Sequence, residues 1–327
     1  QDEIRSVVVQ TDGKIVAVGT SASDTVSYLA LVRYNTDGSI DTSFANSGTL
    51  LLRIGMGTNA AHAAAIDSNG SIVIAGSAKS GELSSFVVAR VTRSGALDTV
   101  FNSTGKVTIN FPGASAAATA IAFQRDGKII IAGHATSMTN TTIALARLTI
   151  NGILDENFGI NGRITASFTT NSTDYAYGLA VGNKDQIVVA GSSTTEGMTH
   201  MALAAFTSDG ALNSDFYGTG RIVAPLKDSD STVPGESFAR GIRLLGDGTA
   251  IVVGTFLSGS YSKIAVATFQ ANARLRSAIP EKTTLINVEK KPAEGNAIAD
   301  LGSHGVVVVG SVLNTGNHDF VIAFPGI

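Results

Sequence analysis

The sequence predicts an all-β chain folded as a six-bladed β-propeller, with four antiparallel strands per blade and very little helix. Three observations carry that expectation. One phrase, an apolar β-branched run closed by glycine, occurs six times: Ile15 to Gly19, Ile72 to Gly76, Ile129 to Gly133, Ile187 to Gly191, Ala250 to Gly254 and Val306 to Gly310. The closing glycines stand 57, 57, 58, 63 and 56 residues apart, a spacing that belongs to repeat architectures. Each period also holds four short strand-like runs between turn residues, and no stretch sustains the capped 3.6-residue periodicity of a helix. β-Solenoid coils are usually much shorter than this period, and a leucine-rich or helical solenoid would need helices that the sequence lacks.

The second repeat shows the order of elements. Ala61 to Ile66 comes first and is dominated by small residues, as expected of the strand nearest a crowded propeller axis; Ala116, Ala117 and Ala118 repeat the feature. A turn at Asp67-Ser68-Asn69-Gly70 leads to Ile72-Val73-Ile74-Ala75, too short for a buried helix. After the loop Lys79 to Glu82 comes the third strand, Phe86 to Val91, ended by Arg93-Ser94-Gly95. A connector, Ala96 to Gly105, leads to the fourth strand, Lys106 to Phe111. That strand is placed at the periphery, where Thr108 and Arg163 are tolerable. Every joint carries Gly, Asn, Asp or Ser, which accept tight-turn dihedrals. The repeats are expected at about 4–56, 57–113, 114–170, 171–232, 233–290 and 291–327, as one propeller domain spanning 1–327. The last repeat offers three strands, ending at Phe320 to Phe324, so 23 are expected. Either the final blade is three-stranded or, as the repeat grammar favours, its missing strand lies upstream of Gln1. An unpaired edge there would invite a partner strand.

The connector carries the most specific phrase. Asn35-Thr36-Asp37-Gly38-Ser39-Ile40-Asp41-Thr42-Ser43-Phe44, followed by Gly48, returns as Gly95 to Asp98 with Phe101 and Gly105. It returns again as Asn151 to Asp155 with Phe158 and Gly162, and as Asp209 to Asn213 with Phe216 and Gly220. With the Asp-Gly-Lys turn ahead of the second strand, this grammar resembles the bacterial delta-60 repeat family. The resemblance covers nearly the whole chain and implies propeller architecture in a secreted or surface context; it implies no chemistry. It weakens after residue 270, where Arg276 takes the Asp position and Ile279 the Phe position.

Six copies in one chain can be compared with one another. Arg33, Arg90 and Arg147 each end a third strand eight residues before Asp41, Asp98 and Asp155. In the next two repeats Arg becomes Ala205 and Thr268, while Asp becomes Asn213 and Arg276. Partners that vanish together read as structural ion pairs pinning the connector to its blade, with bidentate geometry available; three anion sites are the alternative. Counting fourteen back from each closing glycine gives Arg5, His62, Thr119, Tyr177, Arg240 and Asn296. All six are polar, and the residue after each is small. In a closed propeller they would ring one mouth of the central channel, and two arginines and a histidine with no acid would favour a small anionic or polar ligand. The plain alternative is that strand starts at a solvent-filled mouth must be polar.

Composition narrows the classes. Charged residues make up 15% and the net charge is −3, giving no footprint for nucleic acid or an anionic membrane. No apolar run approaches the ~20 residues of a membrane span. The absence of cysteine excludes disulfides, thiolate nucleophiles and Cys-held metals. His134, His200, His304 and His318 share no repeat-equivalent position, so no metal site is expected. The Asp-Gly turns lack the glutamate of a calcium loop, and nucleophile-elbow, dinucleotide and phosphate-loop patterns are missing. Without tryptophan, a lectin role gets no direct support. The reading is therefore a non-enzymatic binding or scaffolding propeller without catalytic residues or cofactor. Its partner is a protein or a small polar or anionic ligand. A Ser-, Thr-, Asn- and Gly-rich composition suits a secreted, periplasmic or cell-surface setting. The alternative function is an enzyme acting on a small anionic substrate at the channel mouth.

Overall fold

The fold is a six-bladed β-propeller, seen in a computed structural model that describes residues 2–23, 26–228, 233–258, 261–270, 280, 282–288, 291–300, 305–314 and 317–325; the side chains of 258, 261, 300 and 317 lie outside the description. Arg276, Ile279 and His304 fall outside the described residues, as does the side chain of Asp300. The chain packs as two compact units, Gln1–Thr165 and Ala166–Ile327.

In the first unit, blade one holds β1 (Asp2–Val9), β2 (Ile15–Ala22), β3 (Ser27–Tyr34) and β4 (Thr49–Leu52). Blade two holds β5 (Asn59–Ile66), β6 (Ile72–Ser80), β7 (Leu83–Val91) and β8 (Lys106–Ile109). Blade three holds β9 (Ser115–Phe123), β10 (Ile129–Thr136), β11 (Thr141–Leu148) and β12 (Arg163–Ala166). In the second unit, blade four runs through β13 (Thr173–Val181), β14 (Ile187–Thr195), β15 (Met198–Phe206) and β16 (Arg221–Ala224). Blade five has β17 (Glu236–Leu244), β18 (Ala250–Ser258), β19 (Tyr261–Phe269) and β20 (Lys282–Ile286). The last blade has three strands, β21 (Ala293–Asp300), β22 (Val306–Asn314) and β23 (Asn317–Ala323). Strands pair in chain order within each sheet. Among the described residues the helical content is one three-residue 3-10 turn, Phe101–Ser103, inside a connector.

The repeated phrase is the second strand of each blade, and β6 shows why it is apolar at consecutive positions. Ile72 and Ile74 pack toward blade one, with Val16, Val18, Leu29 and Leu31. Val73 and Ala75 pack toward blade three, with Ala118, Ile129 and Ile131. A strand buried on both faces needs no polar alternation. In the second unit β18 divides the same way. Val252 joins the core with blade four, and Ile251 and Val253 join that with the last blade.

The connectors have one backbone pattern. In blade one the Arg33 amide donates to the Gly48 carbonyl, Asp41 to Arg33, Phe44 to Asp41 and Gly48 to Phe44, at 2.7 to 3.0 Å. Blade four repeats it through Ala205, Asn213, Phe216 and Gly220 at 2.8 to 2.9 Å. The connector's shape thus survives without the Arg–Asp pair, held by a buried phenylalanine and two glycines with positive φ.

Candidate functional site

The first strand of every blade is interrupted at one place. The pairing of β1 with β2 slips between Ile4 and Ser6, leaving Arg5 as the extra residue. The corresponding slips leave out His62 in β5 and Thr119 in β9. They leave out Tyr177 in β13, Arg240 in β17 and Asn296 in β21. A β-bulge puts two residues opposite one, bends the strand and re-aims a side chain. The six polar positions of the sequence are therefore one backbone device, three copies in each unit.

The closing glycine is the other half of that device. A Cβ added to Gly76 would sit 1.9 Å from the carbonyl oxygen of Ala60, and one on Gly254 would sit 1.7 Å from that of Phe238. The other four closing glycines meet the same carbonyl at 1.8 to 2.0 Å. The bulge pushes the first strand's backbone into space that a side chain on the second strand would fill. The small residue after each bulge lets blades approach. The Cβ direction of Gly178 points at the Ile242 amide at 3.2 Å, and that of Gly241 at the Ala297 Cα at 3.5 Å. In the first unit the corresponding Ser6 hydroxyl accepts the Ala64 amide at 3.1 Å.

In the first unit the charges are largely cancelled. Arg5 donates to the Glu3 carboxylate at 2.8 Å, both side chains about half exposed. Burial pushes the His62 imidazole down to about 4, with the nearby Arg5 and His134 adding to the effect and Glu3 opposing it. Below its ordinary value the ring is neutral at pH 7. His134 is lowered too, by burial. His62 Nε2 and the Ser77 hydroxyl stand 3.5 Å apart, and the Thr119 hydroxyl donates to the Ala132 carbonyl at 3.3 Å. A neutral imidazole at this distance offers polar contacts; an activated nucleophile would need a tighter contact and a group orienting the base.

In the second unit an aromatic cluster carries the one bulge cation that keeps its charge open. The Arg240 guanidinium lies over the Tyr177 ring, 5.1 Å from its centroid. Tyr175 lies parallel to Tyr177, the planes 13° apart and the centroids 6.2 Å apart. Burial raises the Tyr177 phenol; Arg240 and a hydrogen bond with Ser192 pull the other way. Among the described residues no carboxylate pairs with Arg240. Asn296, on the neighbouring bulge, is exposed.

Ser77 and Ser192, fifteen residues after their bulge residues, escaped the sequence reading. So did Tyr175 and the Glu3 counter-charge. A signal existed: the residue after the closing glycine is Thr20, Ser77, His134, Ser192, Thr255 or Ser311, polar in all six repeats.

The three Arg–Asp pairs lie elsewhere, at the connectors. Arg33–Asp41 and Arg90–Asp98 close at 2.7 Å and Arg147–Asp155 at 2.9 Å. Arg33 and Arg90 donate to Oδ2 and Arg147 stands against Oδ2, while Oδ1 accepts the connector amides of Ser43, Val100 and Asn157. The Arg33 and Arg90 pairs are therefore not bidentate on the carboxylate. Each guanidinium also covers the buried ring of Phe44, Phe101 or Phe158 at 4.5 to 4.8 Å. Two of them reach the next blade: Arg33 donates to the Arg93 carbonyl, and Arg90 to that of Ile150 at 2.6 Å. Lys14 adds a second cation on Asp41 at 2.7 Å. With its hydrogen bonds from Lys14 and Ser43, Asp41 is held well below the usual carboxylate range.

Among the described residues no three His, Asp or Glu side chains group as metal ligands, and no helix is long and apolar enough to cross a membrane.

A family model described as a beta-propeller domain of unknown function (DUF5122) matches three segments, residues 10–44, 68–101 and 124–158. Each segment runs from the turn before a second strand to the connector phenylalanine. No curated protein matches the sequence. Among solved structures, a protein of unknown function from Dyadobacter fermentans is similar at 11% identity with a TM-score of 0.63, over 98% of this chain and 93% of that one. A PL25 ulvan lyase is similar at 12% identity and 0.51, over 96% and 81% of the two chains. A mutant NanB sialidase from Streptococcus pneumoniae is similar at 9% and 0.52, over 97% and 66%. At these identities the likeness is one of fold: the chain is built as a β-propeller and carries three segments of the DUF5122 type.

Proposed function

We propose that the protein is a non-enzymatic binding module whose ligand contacts are made by the bulge residues. One observation carries this reading: the backbone device is the same in every blade, while the residue it presents changes from blade to blade. The closing glycine is the same in all six repeats, and the connector phenylalanine is the same in four. The bulge positions instead hold Arg, His, Thr, Tyr, Arg and Asn. A rigid scaffold presenting varied polar side chains suits recognition, since binding residues need firm placement more than common identity. The delta-60 character of the connectors and the Lys-poor, Ser- and Thr-rich composition support a secreted or cell-surface setting.

The reading is tested by screening the full chain against immobilised glycans, small organic acids and extracellular proteins. A second protein in the screen carries Ala at His62, Tyr177 and Arg240. The expected result is a ligand bound by the parent and lost in the variant, with an unchanged melting temperature. A ligand held equally by both proteins would sink the assignment.

A further inference from the structure

We propose that Arg240, Tyr177 and Tyr175 form a subsite for a carboxylated sugar. This rests on the binding reading above and names its ligand class. Of the three basic residues at the bulges, Arg5 is neutralised by Glu3 at 2.8 Å and His62 is held neutral by burial. Arg240 is exposed, and among the described residues no carboxylate opposes it.

Its placement selects the shape of the anion. The guanidinium lies over the Tyr177 ring, 5.1 Å from its centroid, and the residue is exposed. A fork held by its face donates two parallel hydrogen bonds in one plane, which matches a carboxylate. Stacking on the ring also removes rotamer freedom that binding would otherwise have to remove.

The neighbours select the body that carries the anion. Tyr175 and Tyr177 stack with their planes 13° apart and centroids 6.2 Å apart, and bring aromatic surface beside the guanidinium for the apolar face of a ring. Tyr177 is half-buried, which limits the positions its ring can take. Asn296 is the exposed residue of the adjoining bulge, on a strand whose Ala297 Cα would lie 3.5 Å from a Cβ on Gly241. An aromatic pair, a fork for a carboxylate and a neutral donor–acceptor on the next bulge fit a pyranose that bears a carboxylate. A purely aromatic acid would leave the amide unused, and a neutral sugar would leave the cation unused.

The test measures binding of sodium glucuronate, glucose and benzoate to the full chain by titration calorimetry. Glucuronate is expected to bind at least tenfold more tightly than either comparison ligand. Arg240→Gln is expected to weaken it at least tenfold, with Arg240→Lys intermediate because the charge remains and the fork does not. Tyr177→Ala is expected to weaken it several-fold. Lys184→Gln, which removes another exposed cation of the same unit, should leave it unchanged. Glucose binding as well as glucuronate, benzoate binding more tightly, no glucuronate binding to the parent, or an Arg240→Gln protein that binds normally would each overturn the proposal. If the earlier screen finds a ligand lost in the triple variant while glucuronate fails, this subsite is wrong and the binding reading stands. If both fail, both are wrong.

Discussion

A Cβ on Gly133 would lie 2.0 Å from the Ala117 carbonyl oxygen, and backbone cannot yield as a flexible side chain can. Gly133 lies outside the positive-φ set, so close approach, not a special dihedral, demands glycine here. Gly133→Ala should therefore cost about 3 kcal/mol, at the upper end for overpacking, read as a lower midpoint in denaturant unfolding. A loss below about 0.5 kcal/mol, typical of neutral surface changes, would mean that bulge and glycine are uncoupled. The glycine was plain in the sequence as the end of a phrase. Its reason was not, because the opposing carbonyl belongs to Ala117, and backbone atoms leave no residue-type signature. The polar positions fourteen residues earlier were legible for the same reason the glycine was, since six copies could be laid over one another. Their cancellation in the first unit was hidden, because the glutamate at the Glu3 position recurs only as Glu294, beside the neutral Asn296.

At the scale of the element, the Arg90–Asp98 pair does more than hold its own connector, which blade four shapes equally well with Ala205 and Asn213. Its added contribution is to tie one blade to the next through the Ile150 carbonyl at 2.6 Å. The connectors meet there too: the Asn102 amide donates to the Asn151 carbonyl at 2.7 Å. Arg90→Ala alone leaves Asp98 mostly buried without its cation and should cost about 3 kcal/mol. Adding Asp98→Asn recreates the blade-four combination and should recover about 1 kcal/mol or more, because the stranded charge is gone. Equilibrium unfolding of the two single variants and the double gives the coupling directly. Strictly additive losses would show that the residues act independently. Joint disappearance of Arg and Asp across repeats made the pair readable from sequence. The third partner, a carbonyl sixty residues onward, was not readable.

At the scale of the whole molecule, neighbouring blades within each unit bury one another's faces, and β23 is a strand that leaves large apolar side chains uncovered. Phe320 in β23 is 93% exposed and Ile322 is 64% exposed, while the equivalent Phe86 and Val88 of β7 are fully buried. In blade two, Ile109 and Val107 of β8 stand opposite those two residues; among the described residues no strand takes that place beside β23. An apolar strand with an unpaired edge is prone to self-association. Phe320→Ser with Ile322→Thr should reduce concentration-dependent association in sedimentation velocity and leave the melting temperature nearly unchanged. Association that persists in this variant would place the sticky surface elsewhere. Blade number and strand count were legible because a 57-residue spacing is long-range information written repeatedly. The bulges bear on how such a chain can change. Geometry at Arg5, His62, Thr119, Tyr177, Arg240 and Asn296 is guaranteed by glycines on other strands, so the codons for these six residues can drift, or be randomised together in a display library, while the genes for the scaffold stay fixed. The chain separates the side chains it presents from the backbone that keeps it folded.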